Sequence, residues 1–206
     1  MESQSDAPQA WADSRQRVGF VVYRTDYRDD AQWARFMAFL NNQAHTGLID
    51  DGKGDIIKYL DWRVQVCPPT SHQQTISLTE TQSTPDLQGA NEIEVRKRFN
   101  DWLQSGEEDP DDSYRYRACV LVDDVSLDAV DEWMEGKSLD DDDPLTLFDR
   151  RGRVSVWLVS RHEEEGEFEV GLSYLFPTVA FLIQMEGEGQ GWDAVAVPLG
   201  ETATPW

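Results

Sequence analysis

The stretch Val18-Gly19-Phe20-Val21-Val22-Tyr23 constrains the fold more than any other. It carries no charge and is rich in β-branched and aromatic residues, so it reads as a strand covered on both faces. Thr25 to Asp30 interrupts it. Asp29 and Asp30 then supply the negative charge that a helix N-terminus favours, and Trp33, Phe36, Met37 and Leu40 follow at i, i+3, i+4 and i+7. The spacing predicts a β-α unit with all four side chains mostly buried against the strand.

Leu48 to Asp55 reads as a Gly/Asp loop, and Leu60, Trp62, Val64 and Val66 then alternate with Asp61, Arg63 and Gln65 until Pro68-Pro69 ends the strand. The Ser/Thr/Gln-rich residues 70–83 read as a loop. Asn91 to Gln104 is predicted as a helix with Val95, Phe99, Trp102 and Leu103 inward, Arg96 and Lys97 outward, and Ser105-Gly106 as its stop. Further strands are predicted at Tyr114 to Val122, Val154 to Ser160, Phe168 to Leu175, Thr178 to Ile183 and Trp192 to Val197. A helix is predicted at Ser126 to Glu135, with Leu127, Val130 and Met134 inward.

This order points to an α+β fold: a mainly antiparallel sheet with two or three helices packed on one face, an arrangement that suits a ferredoxin-like core. Val18 to Leu40 and Tyr116 to Met134 share a layout of strand, acidic pair and Trp-bearing helix. Residues 1–15 read as a flexible polar N-terminus, 16–200 as a single domain and 201–206 as a tail.

Forty Asp and Glu against eighteen Lys and Arg give a net charge of −22, a field that repels phosphate backbones and anionic lipid. Nucleic-acid and membrane-surface binding are disfavoured. The chain is 39% hydrophobic with eight Trp and eight Phe, well above the composition of disordered charged chains. The start of the chain has neither a basic segment nor an apolar one, and Cys67 and Cys119 form no disulfide framework, so a soluble intracellular, cytoplasmic protein with reduced thiols is expected.

Gly19-Phe20-Val21-Val22-Tyr23-Arg24-Thr25, Asp29-Asp30 and Trp33-Ala34-Arg35-Phe36-Met37 resemble the opening of a large group of uncharacterised filamentous-fungal (ascomycete) proteins. Glu94-Val95-Arg96-Lys97-Arg98-Phe99 with Trp102, then Tyr114-Arg115-Tyr116-Arg117 leading into Val120-Leu121-Val122-Asp123-Asp124, and a late Gly191-Trp192, resemble that group's later blocks in the same order. The group has no established activity, so the resemblance implies an intracellular protein of that kind and assigns no chemistry.

No motif commits the chain to a reaction. Gly136-Lys137-Ser138 lacks the earlier glycine of a phosphate-binding loop, where Asp131 stands, and Gly171-Leu172-Ser173-Tyr174-Leu175 lacks the second glycine of a nucleophile elbow. His45, His72 and His162 include no pair at i, i+3 or i+4, and neither Asp50 to Asp55 nor Asp140 to Asp143 has EF-hand spacing, so no metal or other cofactor is expected.

The positive lead is strand parity. Arg63, Arg117 and Trp157 fall opposite inward neighbours such as Val64, Val120 and Val156, which predicts an arginine and tryptophan patch on one open sheet face. Guanidinium groups bind carboxylate or phosphate bidentately and stack on aromatic rings, so the patch would recognise an anionic small molecule or an acidic protein segment. The competing reading pairs each arginine with a carboxylate across strands. A non-enzymatic binding domain is the leading expectation. An enzyme using dispersed carboxylates as acid and base, and an acidic antagonist of a basic partner protein, are the alternatives.

Overall fold

The computed structural model describes residues 17–65, 87–106, 114–138, 144–185, 191–198 and 200–204. The apolar run forms β1 (Val21–Arg24), fully buried, with Val18 bridged to Leu60 just before it. Six strands follow the order β2 (Arg63–Gln65), β1, β3 (Ala118–Val122), β4 (Ser155–Ser160), β5 (Glu167–Gly171) and β6 (Thr202–Ala203). Strand β1 runs parallel to both β2 and β3, β3–β4–β5 is antiparallel, and β6 is parallel to β5. The fold is α+β, but the sheet is mixed rather than mainly antiparallel, and this is not the strand pairing of a ferredoxin-like core.

Helices cover both faces, which corrects the expectation of one. Phe20 and Val22 point toward α1 (Asp30–Asp50) and α3 (Asp124–Met134), meeting Phe36, Phe39, Leu40, Leu127 and Val130 in the larger core. Val21 and Tyr23 point the other way, toward α2 (Glu92–Gln104), meeting Val95, Phe99 and Trp102. A strand buried on both sides needs this double cover, because each face must be removed from water. Val18 and Ala203 lie in the same core cluster, so the described ends of the chain share one interior.

Capping explains the helix starts. Asp29 caps α1, Asp123 caps α3, and Asn91 and Glu94 form a reciprocal capping box on α2. Of the four residues predicted on the first helix face, Phe36 and Leu40 are buried, while Trp33 and Met37 are half-buried against the core. Helix α1 runs on to Asp50 through what read as a loop. Its last turns bury Gln43, which donates to the Leu147 carbonyl (2.8 Å) and accepts from the Asp149 N–H (2.9 Å), so the helix continues although its pattern turns polar.

Other segments differ from the sequence reading. Tyr114–Tyr116 is a tight helical turn preceding β3, not part of the strand. Thr178 to Ile183 is helical, ending in Ala180–Gln184, and Trp192 to Val197 opens with the turn Gly191–Ala194. Arg96 is buried rather than solvated, donating to the Ser160 carbonyl (2.9 Å) and Glu167 (2.5 Å). Gly19 (φ +113°) has no room for a side chain, since a Cβ there would lie 2.8 Å from the Asp61 carbonyl oxygen. Among the described residues no helix is long and apolar enough to cross a membrane.

Candidate ligand-binding crevice

Chain direction places the site. From β1 the chain passes through α1 to β2 on one side, while β3 lies on the other side and is reached through α2 on the opposite face. The carboxyl ends of β1 and β3 therefore lie side by side where the connections diverge, the position at which open α/β sheets leave a crevice. A hollow of about 320 Å³ lies there. Thr25, Asp26 and Arg28 from the end of β1 and Asp123 and Asp124 from the end of β3 line it, and the turn Gln88-Gly89-Ala90 closes one side.

The loop after β1 is wrapped around one buried guanidinium. Arg24 donates through Nε to the Asp26 carbonyl (2.5 Å), through Nη1 to Asp30 (2.6 Å) and through Nη2 to the Asp29 carbonyl (3.1 Å). Its guanidinium carbon lies 4.8 Å from the centroid of Tyr27 and 5.3 Å from that of Trp33. Thr25 N–H donates to the Val122 carbonyl, Gly89 N–H to the Thr25 carbonyl, and Tyr27 N–H to Gln88 Oε1, so three segments are locked together at the crevice.

Asp26 forms the floor, with its side chain 4% exposed. Arg28 Nε donates to both carboxylate oxygens (2.9 and 2.8 Å) and Nη2 to Oδ2 (2.6 Å), and the Arg28 N–H donates to Oδ1 (3.1 Å). These bonds hold the Asp26 carboxyl below the usual aspartate range against the opposing effect of burial. Arg28 itself is 62% exposed, and its Nη2 lies 3.7 Å from Asp124 Oδ2. Asp123 Oδ1 accepts from the N–H and hydroxyl of Ser126 (both 2.8 Å). The nearby helix N-termini are occupied by the protein's own carboxylates, and the walls hold three aspartates against one arginine.

Arg63, Arg117 and Trp157 do not converge on an open patch. Arg63 and Trp157 share a face, but β1 and β3 separate them, roughly 14 Å across three strand spacings. Helix α2 roofs that face, with Trp102 lying 5.7 Å from the Arg63 guanidinium and Trp157 packed at the edge of the smaller core. Arg117 precedes β3, where the tight turn breaks strand parity, and it donates to Glu165 (2.8 Å) and the Ile183 carbonyl (3.4 Å). The carboxylate-pairing alternative describes Arg117.

Cys119 is a free thiol inside β3, where burial pushes its pKa up and leaves it unreactive. Cys67, His72 and Asp140 to Asp143 lie outside the described residues. Among the described residues no group of three or more His, Cys, Asp or Glu is arranged to hold a metal ion.

The crevice residues were not singled out by sequence. Their signal was the twice-repeated order of strand, acidic residues and helix, which becomes a site once β1 and β3 are adjacent and parallel. Comparison with protein-family models, curated proteins and solved structures gives no match to this chain.

Proposed function

We propose that this domain is a non-enzymatic binding module that seats a guanidinium or ammonium group in the crevice at the carboxyl ends of β1 and β3. One observation carries the reading: Arg28, a mostly exposed guanidinium, already lies on the buried Asp26 carboxylate with Asp124 beside it. The protein's own side chain thus marks the chemistry that the crevice accepts. Asp123 and Asp124 leave the crevice net negative around that guanidinium, and the overall charge of −22 raises the local concentration of cations.

The lowered pKa of Asp26 makes it a weak base, and both of its oxygens are engaged by Arg28, which favours recognition over acid–base catalysis. Free small molecules and the arginine or lysine side chains of a basic partner protein present the same group. The resemblance to the filamentous-fungal group adds no chemistry to this reading.

The test is calorimetric titration of butylguanidinium into wild type, Arg28→Ala and Asp124→Asn. Removing Arg28 takes away the internal competitor and should tighten binding, whereas removing the Asp124 charge should weaken it. Identical affinities in all three proteins would contradict the proposal.

A further inference from the structure

Just beyond the far end of α3 two cations meet one indole ring. Trp133 lies in the last turn, its indole Nε1 donating to the Leu147 carbonyl (3.3 Å) and its ring packed half-buried on the core. Gly136 (φ +72°) turns the chain back, and the Lys137 N–H donates to the Met134 carbonyl (2.9 Å). This places the Lys137 ammonium 3.7 Å from the centroid of the Trp133 ring. Arg153 reaches the same ring from a different part of the chain, its guanidinium carbon 5.9 Å from the centroid. Its backbone is fixed next door, where Val154 N–H donates to the fully buried Asp149 (2.8 Å).

The three side chains line a hollow of about 470 Å³. Among the described residues neither Lys137 nor Arg153 has a carboxylate partner, although the protein carries 40 acidic residues. The helix C-terminus accounts for a cation at Lys137, but not for a second one brought in from the segment before β4.

We propose that this hollow binds a phosphate monoester of a small flat molecule, with the phosphate bridging Lys137 and Arg153. The ammonium and guanidinium match the two charges of the ester and donate charge-assisted hydrogen bonds to its oxygens. The hollow is larger than a phosphate, and the half-buried Trp133 and Ala129 give the organic body an apolar wall. Glu132 and Glu135 also line it, so the phosphate must be held by the two cations against their repulsion.

The probe is phenyl phosphate, followed through the Trp133 indole N–H resonance in wild type, Lys137→Gln/Arg153→Gln and Arg151→Gln. Wild type should show saturable shifts, the double variant should bind at least about tenfold more weakly, and Arg151→Gln, which alters an exposed neighbour outside the hollow, should match wild type. Three results would overturn the proposal: no saturable shift, equal binding by the double variant, or an equal loss in Arg151→Gln. Inorganic phosphate binding as tightly as phenyl phosphate would overturn the assignment to an ester. Both variants change exposed side chains, and matching far-UV circular dichroism checks that each is folded.

Discussion

Arg28 grips the Asp26 carboxylate through Nε and Nη2, an almost fully buried acid paired with a mostly exposed base at the mouth of a crevice. The pairing has a definite sign in pH. The carboxyl is depressed below its ordinary value of 3.8, so the stability it contributes is fully present above that value and is lost as pH falls through the lower folded value. Asp131, held by Arg35, has the same sign. So does Glu165, where hydrogen bonds from Ser160 and Arg117 outweigh the raising effect of burial. Acidification also relieves repulsion among unpaired carboxylates, so the informative comparison is between variants. In Arg28→Ala the Asp26 carboxyl, followed by carbon NMR, should titrate at higher pH, and the acid limb of the urea midpoint should move with it. Coincident acid limbs would show that the pair contributes nothing to stability.

Arg24 organises the loop that carries both residues. Arg24→Met keeps much of the stem and loses the guanidinium, leaving the Asp26 and Asp29 carbonyls without their donor. The expected cost is about 3 kcal/mol, read from the urea midpoint. A loss below about 1 kcal/mol would mean that the loop is held by its backbone bonds alone.

Phe36 is fully buried and stacks on Trp33 with ring centroids 5.5 Å apart. Phe36→Ala should cost about 3–5 kcal/mol through lost transfer energy and the cavity left between α1 and β1. An unchanged melting temperature would contradict the packing.

Salt provides a global test. Exposed like charges repel over a Debye length of about 10 Å at 0.1 M, so raising sodium chloride from very low to moderate concentration should raise the denaturation midpoint of a protein with net charge −22. A flat response would mean that the charges are locally balanced by pairs such as Arg35–Asp131.

The sequence was most legible where local chemistry decides structure. Asp29, Asn91 and the Ser105-Gly106 stop mark helix ends because their backbone and side-chain bonds are local. The two-sided burial of Val18 to Tyr23 was also legible, and it already required cover on both faces; a one-faced helical layer was inconsistent with it. Strand direction was not legible, because whether β1 meets β3 in parallel depends on long connections that leave no periodic trace. Thr178 to Ile183 failed for a different reason: six largely apolar residues satisfy either period, and packing of Val179, Ala180 and Ile183 into the core selects helix. The Arg/Trp patch does not form for two reasons: Arg63 and Trp157 share a face but lie three strand spacings apart beneath α2, and Arg117 leaves the strand pattern. Tyr114–Tyr116 turns instead of extending, so Arg117 has no strand parity to obey. Arg153 sits beside Trp133 because Asp149 fixes the residue after it, a placement that no local pattern announces.

Chemical-shift mapping of backbone amides during a butylguanidinium titration addresses the crevice directly. Saturable shifts should concentrate at Thr25 to Arg28, Gln88 to Ala90 and Asp123 to Ser126, and should weaken in Asp124→Asn. Shifts spread evenly over acidic positions such as Asp50, Asp51 and Asp131, or no saturation, would contradict a ligand site at the carboxyl ends of β1 and β3.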